Sequence, residues 1–403
     1  MTGGDEDGDH QHAVDGEQVL GHVLDAGHEL PPEDVPRLVA TAAVRLGASD
    51  AQLYLASVAQ RLLVPMPLRR GEDVEPLDID TTLAGRAFQS SAPTGTDGDG
   101  DMWIPVRDGV DRLGVLRLRF ASYDEVTLRA ARQLASLAAD LVVAKSRYSD
   151  LFEQVRRRQP LVLAAELQRQ LLPPSTFSTP SVGVAGVLEP AYEVAGDSFD
   201  YALNADVLSA AVFDGVGHDL ASAVMTTLAV GAYRNARRNR LDLAETATVI
   251  DQALRSQFAD KSFVTAALIQ LDVSTGAVRW LNAGHPRPLL LRSGRVVRTL
   301  GCPPRAPLGV PCAPAEIAAE QLEPGDALLL FTDGVVEARS SSGQAFGFDR
   351  LADFFERAAA AGLESAETMR RLVHDVVDHH GGVLRDDATC VLIDWHGRRA
   401  GID

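Results

Sequence analysis

Lysine is nearly missing from this 403-residue chain. Of its 38 basic residues only Lys145 and Lys261 are lysines, a bias toward GC-rich codons that excludes no mechanism. Cysteine is scarce as well. Cys302, Cys312 and Cys390 are too few for a paired framework and lack metal-ligand spacing, so they read as unpaired thiols of a reducing compartment. No apolar run approaches the roughly 20 residues that cross a bilayer, and the N-terminal stretch lacks the basic-then-apolar order of a secretory signal. A cytoplasmic location with no membrane partner is the expectation. Positive charge is absent before Arg37, whereas ten acids precede it, so the net charge of −18 shrinks to −8 for the remainder. Nothing in that balance calls for nucleic acid. Residues 1–17, rich in Gly, Asp and His, read as a disordered acidic tail.

What is present is an ordinary globular balance, 46% apolar and 23% charged, in a chain too long for one core. A helical segment (Val35 to Leu46) leads into "AQLYLASVAQRLLVPMP", whose period gives strand, turn, strand. A short helix (Leu83 to Gln89) follows, then a hairpin around Asp108-Gly109. The order, with "TLAGRAF" before "WIPVRDGVDRLGVLRL", resembles a GAF domain, a small sensory α/β fold. The resemblance covers residues 18–122 and implies a small-ligand pocket or a dimer surface, without naming a ligand. Residues 123–172 read as linker helices. From Tyr123 to Arg158 the residues Leu134, Leu137, Leu141, Ala144, Tyr148, Leu151 and Val155 alternate by three and four, which predicts one long helix whose narrow seam pairs in a parallel homodimer, the alternative being a helix packed against a flanking domain of the same chain. Pro160 interrupts it before "LVLAAELQRQLLPPS".

From Val182 strands and helices mix, each largely in sequence-adjacent pairs, which predicts α+β layers rather than a doubly wound parallel sheet. Strands are expected at Val207–Phe213, Phe263–Val273, Val278–Leu281, Leu289–Arg292, Ala327–Thr332 and Thr389–Trp395. Helices are expected at Ala221–Arg238, Leu243–Phe258, Arg350–Ala361 and Glu364–His379. Four carboxylates stand out against this pattern. Asp214 ends an apolar run on a glycine turn, Asp333 follows "ALLLFT", Asp197 sits in "VAGDSFD", and Asp386 precedes an apolar strand. A buried acid costs several kcal/mol unless neutralised, and four gathered together would repel one another without cations. Hard divalent ions, Mg²⁺ or Mn²⁺, prefer such oxygen ligands, and Gly215 lets its carbonyl join them.

The segments "AAELQRQLLPPS", "YEVAGDSFDY", "VFDGVGHDLASA", "LNAGHPRPLLL", "LEPGDALLLFTDGVVEAR", "FGFDRL" and "DDATCVLI" occur in the order found in PPM-type (type 2C) serine/threonine protein phosphatases. They resemble the SpoIIE/RsbU-like bacterial branch. The match implies an α-β-β-α sandwich over residues 173–397, two antiparallel sheets between helix pairs. It also implies two divalent cations, Mn²⁺ or Mg²⁺. Asp214 matches the acid bridging them, Gly215 the glycine whose carbonyl joins them, Asp333 and Asp386 acids holding one of them, and Asp197 the acid of the first motif. Ala195 and Asp219 depart from the family's glycines, and Val216 stands where eukaryotic relatives carry a histidine. The general acid is thereby unassigned. His218 and His285 are candidates, although capping or bracing a glycine turn is the favoured reading of each. Asp200 and Asp387 read as turn or supporting residues, and Asp219 as the N-cap of the next helix. The branch implies a phosphorylated STAS-domain anti-sigma-factor antagonist as substrate. The alternatives are a pseudophosphatase that signals by binding through its GAF unit, and a phosphoesterase of small molecules.

Overall fold

The computed structural model describes residues 5–69, 74–95, 100–189, 196–217, 219–258, 262–382, 384 and 386–397, with backbone alone for 5–15. The chain divides into two compact units, residues 1–159 and 160–403.

The first unit runs α1 (Asp5–Glu29), α2 (Val35–Arg45), β1 (Asp50–Ala56), β2 (Leu62–Pro65), β3 (Leu77–Asp78), α3 (Leu83–Ser90), β4 (Thr94–Gly95), β5 (Gly100–Asp108), β6 (Asp111–Phe120), α4 (Glu125–Ser146) and α5 (Leu151–Arg156). Its six strands form one antiparallel sheet in the order β3-β2-β1-β6-β5-β4. Alternation along the strands supplies both faces. Leu53 and Leu55 of β1 pack with α2 and α4, while Tyr54 and Ala56 pack with Phe88 of α3 and Trp103 of β5.

Two expectations are corrected here. The stretch read as a disordered tail is helical from Asp5, because Val19 and Val23, one turn apart, are buried in the core that α4 shares. The single coiled-coil helix is divided. α4 stops at Ser146, α5 begins at Leu151, and Tyr148 between them is 68% exposed. Leu134 of the expected seam is buried inside the first unit, with Leu137 and Leu141 packed against the same core. Alanines 131, 135, 138 and 139 widen the leucine stripe into a face that lies on a sheet, while Ala144 and Tyr148 of the seam stay exposed. One of the two lysines shares this packing: buried Lys145 donates to the carbonyl of Leu30.

The second unit runs α6 (Leu163–Leu171), β7 (Thr176–Ser178), β8 (Val182–Glu189), β9 (Asp197–Asn204), β10 (Val207–Gly215), α7 (Leu220–Arg238), α8 (Leu243–Gln257), β11 (Val264–Asp272), β12 (Ala277–Ala283), β13 (Leu289–Arg292), β14 (Arg295–Thr299), β15 (Ala318–Gln321), β16 (Asp326–Phe331), α9 (Asp333–Glu337), α10 (Gly347–Ala360), α11 (Ser365–His380) and β17 (Ala388–Trp395). Two antiparallel sheets result, β15-β12-β11-β10-β9 and β14-β13-β16-β17-β8-β7. Residues such as Leu208, Val212, Ile269, Leu330 and Ile393 form the core between them. The opposite face of the first sheet (Phe213, Leu268, Leu281) packs on α7 and α8, and that of the second (Leu329, Phe331, Leu392) on α10 and α11. This is the expected α-β-β-α layering. Strand β9, which no apolar run announced, forms the edge of the first sheet, and the apolar β8 joins the second between β17 and β7.

Candidate metal centre

Strand direction gathers the acids. β9 begins at Asp197 and β10 ends at Asp214, and the two residues are direct partners across the ladder. In the other sheet β16 ends just before Asp333, β17 begins just after Asp386 and Asp387, and Phe331 pairs with Cys390. Each sheet thus delivers acids from one end of an antiparallel pair. Asp197 ties the sheets together: its Oδ2 accepts from the Thr332 hydroxyl and the Thr389 hydroxyl, each at 2.7 Å. The Asp387 Oδ2 accepts from the backbone N–H of Gly196 at 2.8 Å and of Asp197 at 3.1 Å, and from the Gln168 amide at 2.9 Å. Gly334 is required by the packing, since a Cβ there would lie 2.0 Å from the Asp387 carbonyl oxygen.

The electrostatics follow from this crowding. Burial first, and then the charges of Asp333 and Asp386, push the Asp214 carboxyl up to about 7. Burial also raises Asp387, to about 6, against the pull of its three donors. Asp197 is driven well above the ordinary carboxylate range by burial and by Asp387 and Asp214. Among the described residues no Lys or Arg forms an ion pair with Asp197, Asp214 or Asp387. The Asp387 Oδ1 is buried with no hydrogen-bond partner there. An all-oxygen donor set with raised proton affinity and an orphaned carboxylate oxygen fits a hard divalent cation. Among the described residues no three His, Cys, Asp or Glu side chains close around a single ion point. Mutual repulsion accounts for that spacing, and Mg²⁺ retains several waters in place of protein ligands.

The sequence-predicted residues divide accordingly. Asp197, Asp214, Asp333 and Asp386 stand in one electrostatic neighbourhood. The Gly215 carbonyl accepts from Ser222 Oγ at 2.9 Å, and its N–H donates to the Gly196 carbonyl. His218 and Ala195 lie outside the described residues. His285 is no proton donor at neutral pH, because burial drives its imidazole down to about 3. Its Nδ1 meets the Thr265 hydroxyl at 2.8 Å and its backbone N–H donates to Asn282 Oδ1, so it braces the turn. Asp200 faces away to Arg234 and Arg237, and Asp219 caps α7 through the Ser222 N–H. Gln168, Thr332 and Thr389 were not foreseen. Their signal was position, two threonines flanking strand-end acids in "FTDG" and "DDAT".

Residues 204–396 match the model of the family described as stage II sporulation protein E (SpoIIE). That match lies within the second unit and covers just under half of the chain. Among curated proteins, the chain is 22% identical over 264 residues to protein IcfG of Synechocystis sp., covering 59% of this chain and 41% of that one. It is 24% identical over 249 residues to phosphoserine phosphatase RsbP of Bacillus subtilis, covering 60% and 59%. The chain thus spans about half the length of these relatives. The solved SiaA-PP2C domain of Pseudomonas aeruginosa aligns at 26% identity over 58% of this chain and 94% of that one, with a TM-score of 0.49.

Proposed function

We propose that the chain is a metal-dependent serine/threonine phosphoprotein phosphatase. The observation that carries the reading is a group of acids, from the same ends of two sheets, with no cationic side chain paired to Asp197, Asp214 or Asp387 among the described residues. Asp214, the Gly215 carbonyl, Asp333 and Asp386 would hold two divalent cations, Mn²⁺ or Mg²⁺. Such ions, when bound, acidify a water and offset charge on the phosphoryl oxygens. Thr332 and Thr389 fix the Asp197 carboxylate, and Gln168 fixes Asp387, so the acids are held in place before any ion arrives. No cysteine is positioned as a nucleophile: Cys390 is buried in a strand, and burial raises its thiol.

The relative named phosphoserine phosphatase RsbP supports a phosphoserine group as substrate, and a phosphorylated STAS-domain anti-sigma-factor antagonist is the substrate that the SpoIIE/RsbU-like resemblance implies. A GAF sensor role for the first unit is supported by its six-stranded antiparallel sheet with helices on both faces. The test is Mn²⁺-dependent phosphate release from a phosphorylated STAS protein beside p-nitrophenyl phosphate. Turnover of the protein substrate with strict metal dependence is expected. Binding without turnover would instead favour the scaffold reading, and turnover of the small ester alone a small-molecule phosphoesterase.

A further inference from the structure

A cavity of about 250 Å³ adjoins the acidic centre, lined by Asp333 and Asp386 and by Glu337, Arg339, His380 and Leu384. That volume suits one modified side chain and falls short of the several hundred Å³ that drug-sized ligands occupy. Two of the lining groups hold polar atoms that the fold does not use. The His380 Nδ1 is buried with no hydrogen-bond partner among the described residues. Arg339 donates from Nη1 to the Gly343 carbonyl at 3.1 Å, and among the described residues it forms no ion pair. That single bond anchors the arm and leaves the rest of the guanidinium fork available.

The surrounding loop is tied down at several points. The Phe346 N–H donates to the Ala338 carbonyl, and Arg339 bridges to Ala345. From the end of α11, the His379 Nε2 meets the Gln344 carbonyl at 3.0 Å, and its ring stands edge-on to Phe346. His379 therefore serves the loop, while its neighbour His380 serves the cavity.

We propose that Arg339 and His380 form a seat for the phosphoryl group of the substrate, beside the carboxylates that hold the cations. The proposal rests on the phosphatase reading above. A guanidinium fork matches phosphoryl oxygens two at a time, and an imidazole nitrogen adds a third contact. Asp333 and Asp386 would repel this anion until cations neutralise them, so the seat becomes effective only with the ions present. Glu337, on the same wall, repels any anion, so Arg339 and His380 must offset it for the phosphoryl group to sit there.

The experiment is calorimetric titration of inorganic phosphate into the full chain at saturating Mn²⁺, with steady-state kinetics on p-nitrophenyl phosphate alongside. Arg339→Met is expected to weaken phosphate binding about tenfold or more and to raise KM in step, with a smaller change in kcat. His380→Gln is expected to do the same to a lesser degree. If Arg339→Met does not fold, Arg339→Gln, which keeps a donor for Gly343, decides on the same readouts. Unchanged phosphate affinity and KM in a folded variant would overturn the seat, as would a wild-type chain that binds no phosphate. Paired phosphoserine peptides with Glu or Gln next to the phosphoserine test the source of the anion. Equal losses on both peptides support the phosphoryl assignment, and a loss confined to the Glu peptide refutes it. Phosphate binding without turnover of any ester would sink the phosphatase reading and leave the seat standing.

Discussion

The second unit buries two kinds of aspartate. Asp326 is held by a bidentate Arg292 at 2.7 and 2.9 Å, Asp251 by Arg305 and the Gly309 N–H, and Asp200 by Arg234 and Arg237. Burial works to raise Asp326, yet Arg292 and the Glu323 N–H bring it below its ordinary value. Asp197 and Asp387 are as deeply placed and Asp214 is half-buried; among the described residues their partners are hydroxyls, amides and neighbouring acids, and all three are raised. The first kind completes itself with an arginine and holds the fold. The second has no cationic side chain paired to it among the described residues, the gap that the proposed divalent ions would fill.

Substitutions should separate the two kinds. Asp214→Asn is expected to lower Mn²⁺-dependent phosphate release about a thousandfold, since removing the central acid removes the ion site. In EDTA the same variant should be more stable than wild type by about 1–2 kcal/mol, a melting shift of a few degrees, because one repelling charge is gone. Lower stability of the metal-free variant would erase the contrast. Asp251→Asn should do the reverse. It leaves Arg305 buried and unpaired, costing about 3–5 kcal/mol, or about 10 °C by thermal melt, at a site remote from the chemistry.

The pH dependence has opposite signs for the two kinds. Asp214 and Asp387 bind protons more tightly when folded, so the stability they contribute is complete below pH 4 and is lost as pH rises toward 7. Asp326, depressed, contributes stability that is lost as pH falls below 4. Melts of the EDTA-treated chain between pH 4 and 8 should therefore decline toward neutrality, and millimolar Mn²⁺ should reverse the decline. A flat profile with no Mn²⁺ response would count against a metal centre. The smallest effect is expected from Gln168→Leu, which strips one of three donors from Asp387 and should weaken Mn²⁺ binding about tenfold by calorimetry.

Much of the second unit was legible because its central strands are largely buried runs and its helices amphipathic. β13 matches its expected limits, and β10, β11, β16 and β17 lie within two residues of theirs. β9 escaped notice because "DSFDYALN" carries two acids, whose burial depends on partners elsewhere: Thr332 and Thr389 for one, Arg234 and Arg237 for the other. The linker reading failed for a related reason. Leucine spacing alone suggests a seam, and only packing shows that the intervening alanines belong to the same buried face.

Local composition alone determined which residues are acids at strand ends, where glycines allow tight turns, and which segments repeat with period two or near four. Those properties depend on near neighbours in the chain. Only the tertiary structure decided which acids receive an arginine and which face one another, and that Gln168 reaches Asp387 across 219 positions. Charge compensation acts through space over a few ångströms, so it becomes readable only after the sheets have brought distant residues together.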